Sequence, residues 1–480
     1  MANDDAIRRR LARESPHRAI IVVLLTMGLC ASFLFTLVVP IQSRLPELLD
    51  STRDDTAWVL TATLLAAAII TPISGRLGDM YGKRRVILAL LLVTLVGSLI
   101  IALSSDVVIV IAGRALQGAM SGVIPLGISV MRDILPANKV DSAVATMSST
   151  LGVGSAIGLP VSALITEYAD WHALFWMTTV LCAMAFGLVL WIVPVSVLRT
   201  AGRFDYLGAI GLAAALLCLL LAISRGDSWG WLSPTTILTG LGGLVIAVLW
   251  GWYQLRTKDP LLDLRVAARR PVLLTNLASV ALGFSLFASN VVYPQMLEQP
   301  AGDGVGFGLS LFIASLIIMP SGICMLLLSP VAGRLAGIIG PKSLLMMGAT
   351  ALIVAYGFSI FFHGAVWQLL IANLLIGVGI GFGYSSMPML IMRSVPQHET
   401  GASNGLNALF RSLGTSTAAA VMGAVLAASS ASSSSGMPSG SGYQLSFLLG
   451  ILAAIIALGL AAFIPRKPYA ERHPSMPEKE

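Results

Sequence analysis

The residues best placed to do chemistry in this chain are charges set where charge is costly. Arg114 stands in Gly113-Arg114-Ala115-Leu116-Gln117-Gly118, and Arg411 lies in an equally apolar stretch that carries Asn404 and Asn407. A cation among aliphatic side chains must be held by partners or face a water-filled space, which makes each a functional candidate. Asn404, Asn407 and Arg411 are three and four residues apart and share one face of a helix. Asn290, with Asn276 and Asn373, adds polar groups inside other apolar runs. Bond-making chemistry has no comparable signal. His17, His172, His363, His398 and His473 lie in or beside loops, and no HExxH or GxSxG occurs. Cys30, Cys182, Cys218 and Cys324 lack paired spacing. No Gly-x-x-x-x-Gly-Lys-Ser/Thr loop is present to bind ATP. The reading is therefore of no catalytic residues, no metal and no cofactor.

Such groups need long apolar elements to hold them. Of 480 residues 56% are hydrophobic and 11% charged, against about 25% charged in soluble domains, which excludes a water-soluble globule. Runs such as Val86 to Leu103 exclude a transmembrane barrel, whose strands alternate over about ten residues. With about 20 apolar residues per crossing, fourteen spans are expected at 19–40, 56–75, 86–104, 107–130, 141–165, 173–195, 206–224, 235–253, 271–293, 309–329, 343–362, 366–390, 401–428 and 444–464. The first run is about twice the length of a signal-peptide core, so it is read as a span that stays.

Basic residues of short loops remain cytoplasmic. One side collects Arg8, Arg9, Arg10, Arg13, Arg18, Arg76, Lys83, Arg84, Arg85, Arg132, Lys139, Arg199, Arg203, Arg256, Lys258, Arg265, Arg269, Arg270, Arg334, Lys342, Arg393, Arg466, Lys467, Arg472 and Lys479; the other has Arg44, Arg53 and Arg225. Both termini are expected in the cytoplasm, with the chain spanning a plasma membrane. The net charge of +7 is thereby a topology signal and not a nucleic-acid surface. Ser429 to Gly442 reads as a flexible exterior linker.

The chain repeats itself. Gly75-Arg76-Leu77-Gly78-Asp79-Met80-Tyr81-Gly82-Lys83 is echoed by Gly333-Arg334-Leu335-Ala336-Gly337-Ile338-Ile339-Gly340-Pro341-Lys342, with Gly75 and Gly82 each recurring 258 residues on. Gly118 and Gly122 recur as Gly377 and Gly381, and Met131-Arg132 as Met392-Arg393. Spans one to six and nine to fourteen are read as related halves and seven and eight as an insert. Residues 1–200 form the first six-helix bundle, 201–265 the insert and 266–480 the second bundle. Duplicated halves of this kind build sites that open to each side in turn.

The segment Gly75 to Arg85 resembles the signature between helices two and three of the major facilitator superfamily, with Gly75, Leu77, Asp79, Gly82, Lys83 and Arg84 in register and Met80 replacing a usual basic residue. Its glycines allow a tight turn. Asp79 can sit at a helix N-terminus, and Lys83 and Arg84 can hold helix C-termini or carboxylates across the halves, a gate formed only with the cytoplasmic side shut. Arg114, Gln117 and Gly118 look like the family's Arg-x-x-Gln-Gly motif, to which resemblance assigns proton coupling. A snorkelling arginine near an outer helix end is the alternative. Gly152, Gly154, Gly158 and Pro160 look like the antiporter motif, with Gly158-Leu159-Pro160 in place of Gly-Pro and Ala163 in place of a glycine. Fourteen spans, Gly202-Arg203-Phe204-Asp205-Tyr206 before span seven, and Val395 to Gly401 resemble the fourteen-helix drug:proton antiporter branch.

This resemblance implies an all-α polytopic membrane protein with the major facilitator fold. It implies a monomer that exports small amphipathic compounds in exchange for protons, with the proton gradient as energy source, the bilayer as surroundings and no nucleic-acid partner. The branch usually has an Asp in span one where Ala31 stands, and Asn290, Asn404, Asn407 and Arg411 remain the cavity candidates. Import of nutrients and translocation of lipid are the alternatives.

Overall fold

The computed structural model describes residues 17–465 apart from positions 43, 196–199, 201, 302–304 and 432–436. Arg8, Arg9, Arg10, Arg13, Arg199, Arg466, Lys467, Arg472, His473 and Lys479 lie outside the described residues. Among those described, fourteen helices are long and apolar enough to cross a bilayer. They are α1 (His17–Thr36), α2 (Arg53–Tyr81), α3 (Lys83–Ala102), α4 (Val107–Ile134), α5 (Ala137–Tyr168), α6 (His172–Ile192) and α7 (Tyr206–Trp229). The chain continues through α8 (Pro234–Arg256), α9 (Arg270–Glu298), α10 (Leu311–Ile339), α11 (Pro341–Phe361), α12 (Val366–Met392), α13 (Thr400–Ala431) and α14 (Gly440–Ala462). Several starts are written into the sequence as caps. Thr52, Asp106, Asp205, Ser233, Ser310 and Ser439 each accept a hydrogen bond from a backbone N–H of the following turn, satisfying donors that a helix start leaves open.

The helices outrun their apolar stretches where polar residues still make good helix. The segment expected as a loop at 75–85 is helical except at Gly82, whose φ of +100° is strained for any residue with a Cβ. Gly340, its counterpart in the repeat, has φ +85°, and each of the two glycines ends one helix and begins the next. α1 stops at Thr36, short of the expected 40, because Pro40 has no N–H to continue the ladder. α13 runs to Ala431 and α14 starts at Gly440, so Ser429, Ser430 and Gly440 to Gly442 are helix and not linker. α4 is interrupted by a 3-10 turn at Gly118–Gly122.

Two apolar clusters form the cores. Leu24, Leu91, Met120 and Val144 anchor the first, and Leu282, Leu345, Leu352 and Phe447 the second. The clusters are held together by α5 lying along α10 and α2 along α13. A Cβ on Gly75 would fall 2.4 Å from the Gly401 carbonyl oxygen, and one on Gly333 2.4 Å from Ser142 Cα. The two copies of the repeat thus use equivalent glycines to bring helices of opposite halves into backbone contact. Gly118 meets α2 at Thr63, and Gly377 meets α10 at Ser321, repeating the design within each half. The architecture is two pseudo-symmetric six-helix bundles, α1–α6 and α9–α14, plus two inserted helices.

Within the insert one carboxylate ties α7 to α8 and to the segment that follows it. Asp205 caps α7 through Gly208 N–H (2.7 Å) and accepts from Tyr253 Oη (3.0 Å), Gln254 Nε2 (2.7 Å) and Leu261 N–H (3.3 Å). At the far end of α7, Arg225 lies over the Trp58 ring and donates to the Asp54 carbonyl (2.9 Å). α8 packs on α7 and exposes Leu238, Leu241, Val245, Val248 and Trp252, a surface suited to lipid.

Candidate functional site

The end of the molecule that carries most of the arginines and lysines is closed by contacts between the halves. Asp79, in the last turn of α2 and 1% exposed, accepts from the N–H groups of Gly401 (3.1 Å) and Ala402 (2.8 Å). These first-turn donors of α13 have no partner in their own helix, and the positive end of the helix dipole favours an anion there. Beside them Arg132, near the end of α4, donates to the Thr400 hydroxyl and the Val395 carbonyl. Across the pseudo-twofold axis, Arg393, just after α12, donates to Asp141 near the start of α5 at 2.6 Å. Thr200, following α6, donates its N–H to the Asp79 carbonyl (2.7 Å) and its hydroxyl to that of His398 (2.9 Å). Arg132 and Arg393 are the repeated Met-Arg positions, and each ends on the first residues of a helix of the other half.

The expected reach of Lys83 and Arg84 across the halves is corrected. Lys83, 1% exposed, bonds Asp133 at 2.6 Å and lies 4.0 Å from Asp79; Arg84 donates to the Leu190 carbonyl near the end of α6. Both act within the first half, because α3 packs between α4 and α6. Of the three charges, Asp79 alone crosses. Leu77 packs half-buried on the first core, and Met80, where a basic residue is usual, is buried.

Arg114 does not snorkel. It is fully buried, with Nε donating to the Val59 carbonyl (3.2 Å) and Nη1 to the Leu34 carbonyl (3.4 Å) and Gln117 Oε1 (2.7 Å). Gln117 passes the network on to Ser98 Oγ at 2.8 Å. The helical ladder of α1 ends at Thr36, so the Leu34 carbonyl is free to receive a side chain. One guanidinium thereby ties α4 to α1 and α2, and no carboxylate pairs with it among the described residues. Gly118, four residues on, lets α4 press against the backbone of α2 at Thr63.

The glycines of α5 face two ways. A Cβ on Gly154 would meet Ser32 and the Leu29 carbonyl, and one on Gly158 would meet Thr36, so both serve the approach to α1. The Gly152 carbonyl is 2.5 Å from the Cβ position of Gly322 on α10, which places Gly152 at the boundary between halves. Pro160 stands inside α5 without ending it.

The cavity candidates separate. Asn407 donates to Asn276 Oδ1 (3.0 Å) and Ser279 Oγ (2.6 Å), a clasp between α13 and α9. Asn290, two heptads beyond Asn276 on α9, is exposed. Asn404 is 3% exposed, and both atoms of its amide lack a hydrogen-bond partner among the described residues. Arg411 is half-buried, with its guanidinium 5.0 Å from the centre of the Tyr384 ring. The Tyr384 hydroxyl is also enclosed and unpartnered among the described residues. Tyr384 went unnoticed in the sequence because a tyrosine in an apolar run has no spacing to mark it.

Carboxylates stay at the ends. Asp54, Asp55, Glu167 and Asp170 are exposed, and the backbone N–H of His172 on the Asp170 carboxyl, assisted by the imidazole, holds it below the usual carboxylate range. Ala31 is completely buried in the first apolar cluster.

The sequence profile described as the Major Facilitator Superfamily matches residues 24–419 and 275–480. A Multidrug resistance protein B homolog of Mycobacterium tuberculosis (strain ATCC 25618 / H37Rv) is 25% identical over 433 residues, covering 85% of this chain and 77% of that protein. The Lincomycin resistance protein LmrB of Bacillus subtilis (strain 168) is 27% identical over 418 residues, covering 84% and 85%. In backbone fold the chain is similar to the human organic anion transporter MFSD10, with a TM-score of 0.65, 14% identity and coverage of 93% and 99%. It is likewise similar to the proton:xylose symporter XylE, with a TM-score of 0.62, 14% identity and coverage of 94% and 96%. By its sequence, its duplicated bundles and these likenesses, the chain belongs to the major facilitator superfamily of membrane transporters.

Proposed function

We propose that this transporter exports small amphipathic compounds from the cytoplasm in exchange for protons, by alternating access between its two bundles. The observation that carries the reading is the seam at the basic end, where Asp79 holds the N-terminus of α13 while Arg132 and Arg393 bridge the halves. Basic residues concentrated at that end support its facing the cytoplasm of a plasma membrane, and on this reading the closed seam corresponds to a state closed inward. A proton reaching Asp79 removes the charge that α13 attracts and loosens the seam. Arg114 joins three helices of the first bundle and is the residue assigned to transmit protonation, in keeping with its motif. Relatives named for multidrug and lincomycin resistance support amphipathic drugs as cargo.

Translocation of lipid is the second reading, favoured by a cavity of about 230 Å³ between α2, α7 and α13, lined by Leu64, Leu65, Leu220 and Ile223. Drug-dye uptake into everted membrane vesicles, with and without a collapsed proton gradient, tests the export reading. Gradient-dependent uptake supports it, and uptake indifferent to the gradient refutes it.

A further inference from the structure

The charge inside the second bundle has the wrong sign for a pump of cationic drugs. Arg411 lies eleven residues from the start of α13, about 16 Å along the helix at 1.5 Å per residue, near the middle of the bilayer. Its backbone packs against Gly283 of α9, and its guanidinium stands over Tyr384 of α12, so it points into the protein between two core helices. At that depth the residue is half-buried. Among the described residues it makes no ion pair. Two turns along the same face, the Asn404 amide is buried with neither atom paired, and the Tyr384 hydroxyl is also unpaired. Buried polar groups are ordinarily satisfied, and an intramembrane charge ordinarily has a partner. A donor-rich group of this kind, without a paired acid among the described residues, is completed by an acceptor that arrives from outside.

We propose that the compounds carried are organic anions, amphipathic molecules whose carboxylate, sulfonate or phosphate is taken by Arg411, with Tyr384 and Asn404 completing the polar contacts. This rests on the export reading for direction but not for binding. The planar guanidinium offers a fork of donors that matches such oxyanions. A cationic substrate brought to the same place meets repulsion with no paired carboxylate among the described residues to offset it.

The test uses purified full-length protein in detergent and in liposomes, with fluorescein and 1-anilinonaphthalene-8-sulfonate as anionic probes and rhodamine 6G as the cationic one. Binding is read by fluorescence anisotropy. Wild type should bind an anionic probe at least tenfold more tightly than rhodamine 6G. Arg411→Gln should lose that preference by tenfold or more without weakening rhodamine 6G, and Arg411→Lys should keep most of it. Tyr384→Phe, which leaves the ring in place, should weaken the anion by a smaller factor. Rhodamine 6G bound in preference, no anionic probe bound, or equal loss of all probes in Arg411→Gln would each overturn the proposal. So would displacement of fluorescein by millimolar chloride or inorganic phosphate, which would make this a site for small ions. Rhodamine 6G driven by a pH gradient, with anions ignored, would defeat the anion proposal and leave the export reading standing. Arg411-dependent anion binding without gradient-driven flux would do the reverse.

Discussion

Replacing Asp79 by Asn is the most informative single change, because it alters charge while nearly preserving shape. The carboxylate accepts two N–H groups from the start of α13 and stands on the positive end of that helix. Hydrogen bonds to a charged group contribute about 1.5–3 kcal/mol and neutral ones about 0.5–1.5. An Asn oxygen retains one acceptor contact and turns its NH₂ toward the second N–H. The net loss to the closed state is about 2 kcal/mol after allowing for the hydration that Asp79 regains when the seam parts. At about 1.4 kcal/mol per tenfold, the inward-open population should rise roughly thirtyfold. Lys83 keeps Asp133 at 2.6 Å, so the substitution leaves no orphaned buried lysine. The readout is alkylation of Ser385→Cys in a background without Cys30, Cys182, Cys218 and Cys324. Ser385 is completely buried on α12 and donates to the Ala145 carbonyl of α5, so a thiol there reacts only when the halves separate at the basic end. A modification rate in Asp79→Asn within twofold of the parent would refute the assignment of Asp79 to the seam.

Four further outcomes follow from named contacts. Gly75→Ala puts a methyl 2.4 Å from a backbone oxygen that cannot rotate away, so it should raise Ser385→Cys labelling as Asp79→Asn does. Gly337→Ala, at the repeat position matching Asp79 and with nothing within 4 Å, should leave labelling unchanged. Arg114→Ala should abolish gradient-driven dye uptake in everted vesicles while yielding normal amounts of membrane-inserted protein, and retained uptake would remove Arg114 from the coupling route. Asn407→Ala severs the bonds to Asn276 and Ser279, each worth about 0.6 kcal/mol inside a membrane; thermal unfolding in detergent should show a loss of about 1 kcal/mol with dye binding unaltered.

The spans were legible because the physics that forms them is local. A run of about 20 apolar residues has few alternatives in a bilayer, and each of the fourteen expected segments overlaps a helix. Their ends were less legible. α2 and α10 continue past Gly75 and Gly333 because arginine, alanine and leucine propagate helix whether or not lipid surrounds them. The repeat at Gly75 and Gly333 could be read from spacing alone, but its use in bringing α2 to α13 and α10 to α5 needed three dimensions. For the candidate site, residue type identified Asp79, Arg114 and Arg411 as charges needing partners. It could not say which partners, since Thr400, Asp141 and Tyr384 are distant in the chain and unremarkable in type. The partners of Lys83 and Arg84 are hidden for the same reason: they are set by how α3 packs, which no local pattern records.

In the proposed mechanism the two bundles rock about a shared pathway, closing one end as the other opens. Spin labels at Tyr81 and Ile338, exposed at the basic ends of α2 and α10, report one mouth, and labels at Leu103 and Phe361, exposed beyond α3 and at the end of α11, report the other. Double electron–electron resonance on both pairs in liposomes, at neutral and acidic pH, should give distances that change in opposite senses as protonation shifts the equilibrium. Distances that stay fixed under every condition, or that lengthen together at both mouths, would contradict alternating access.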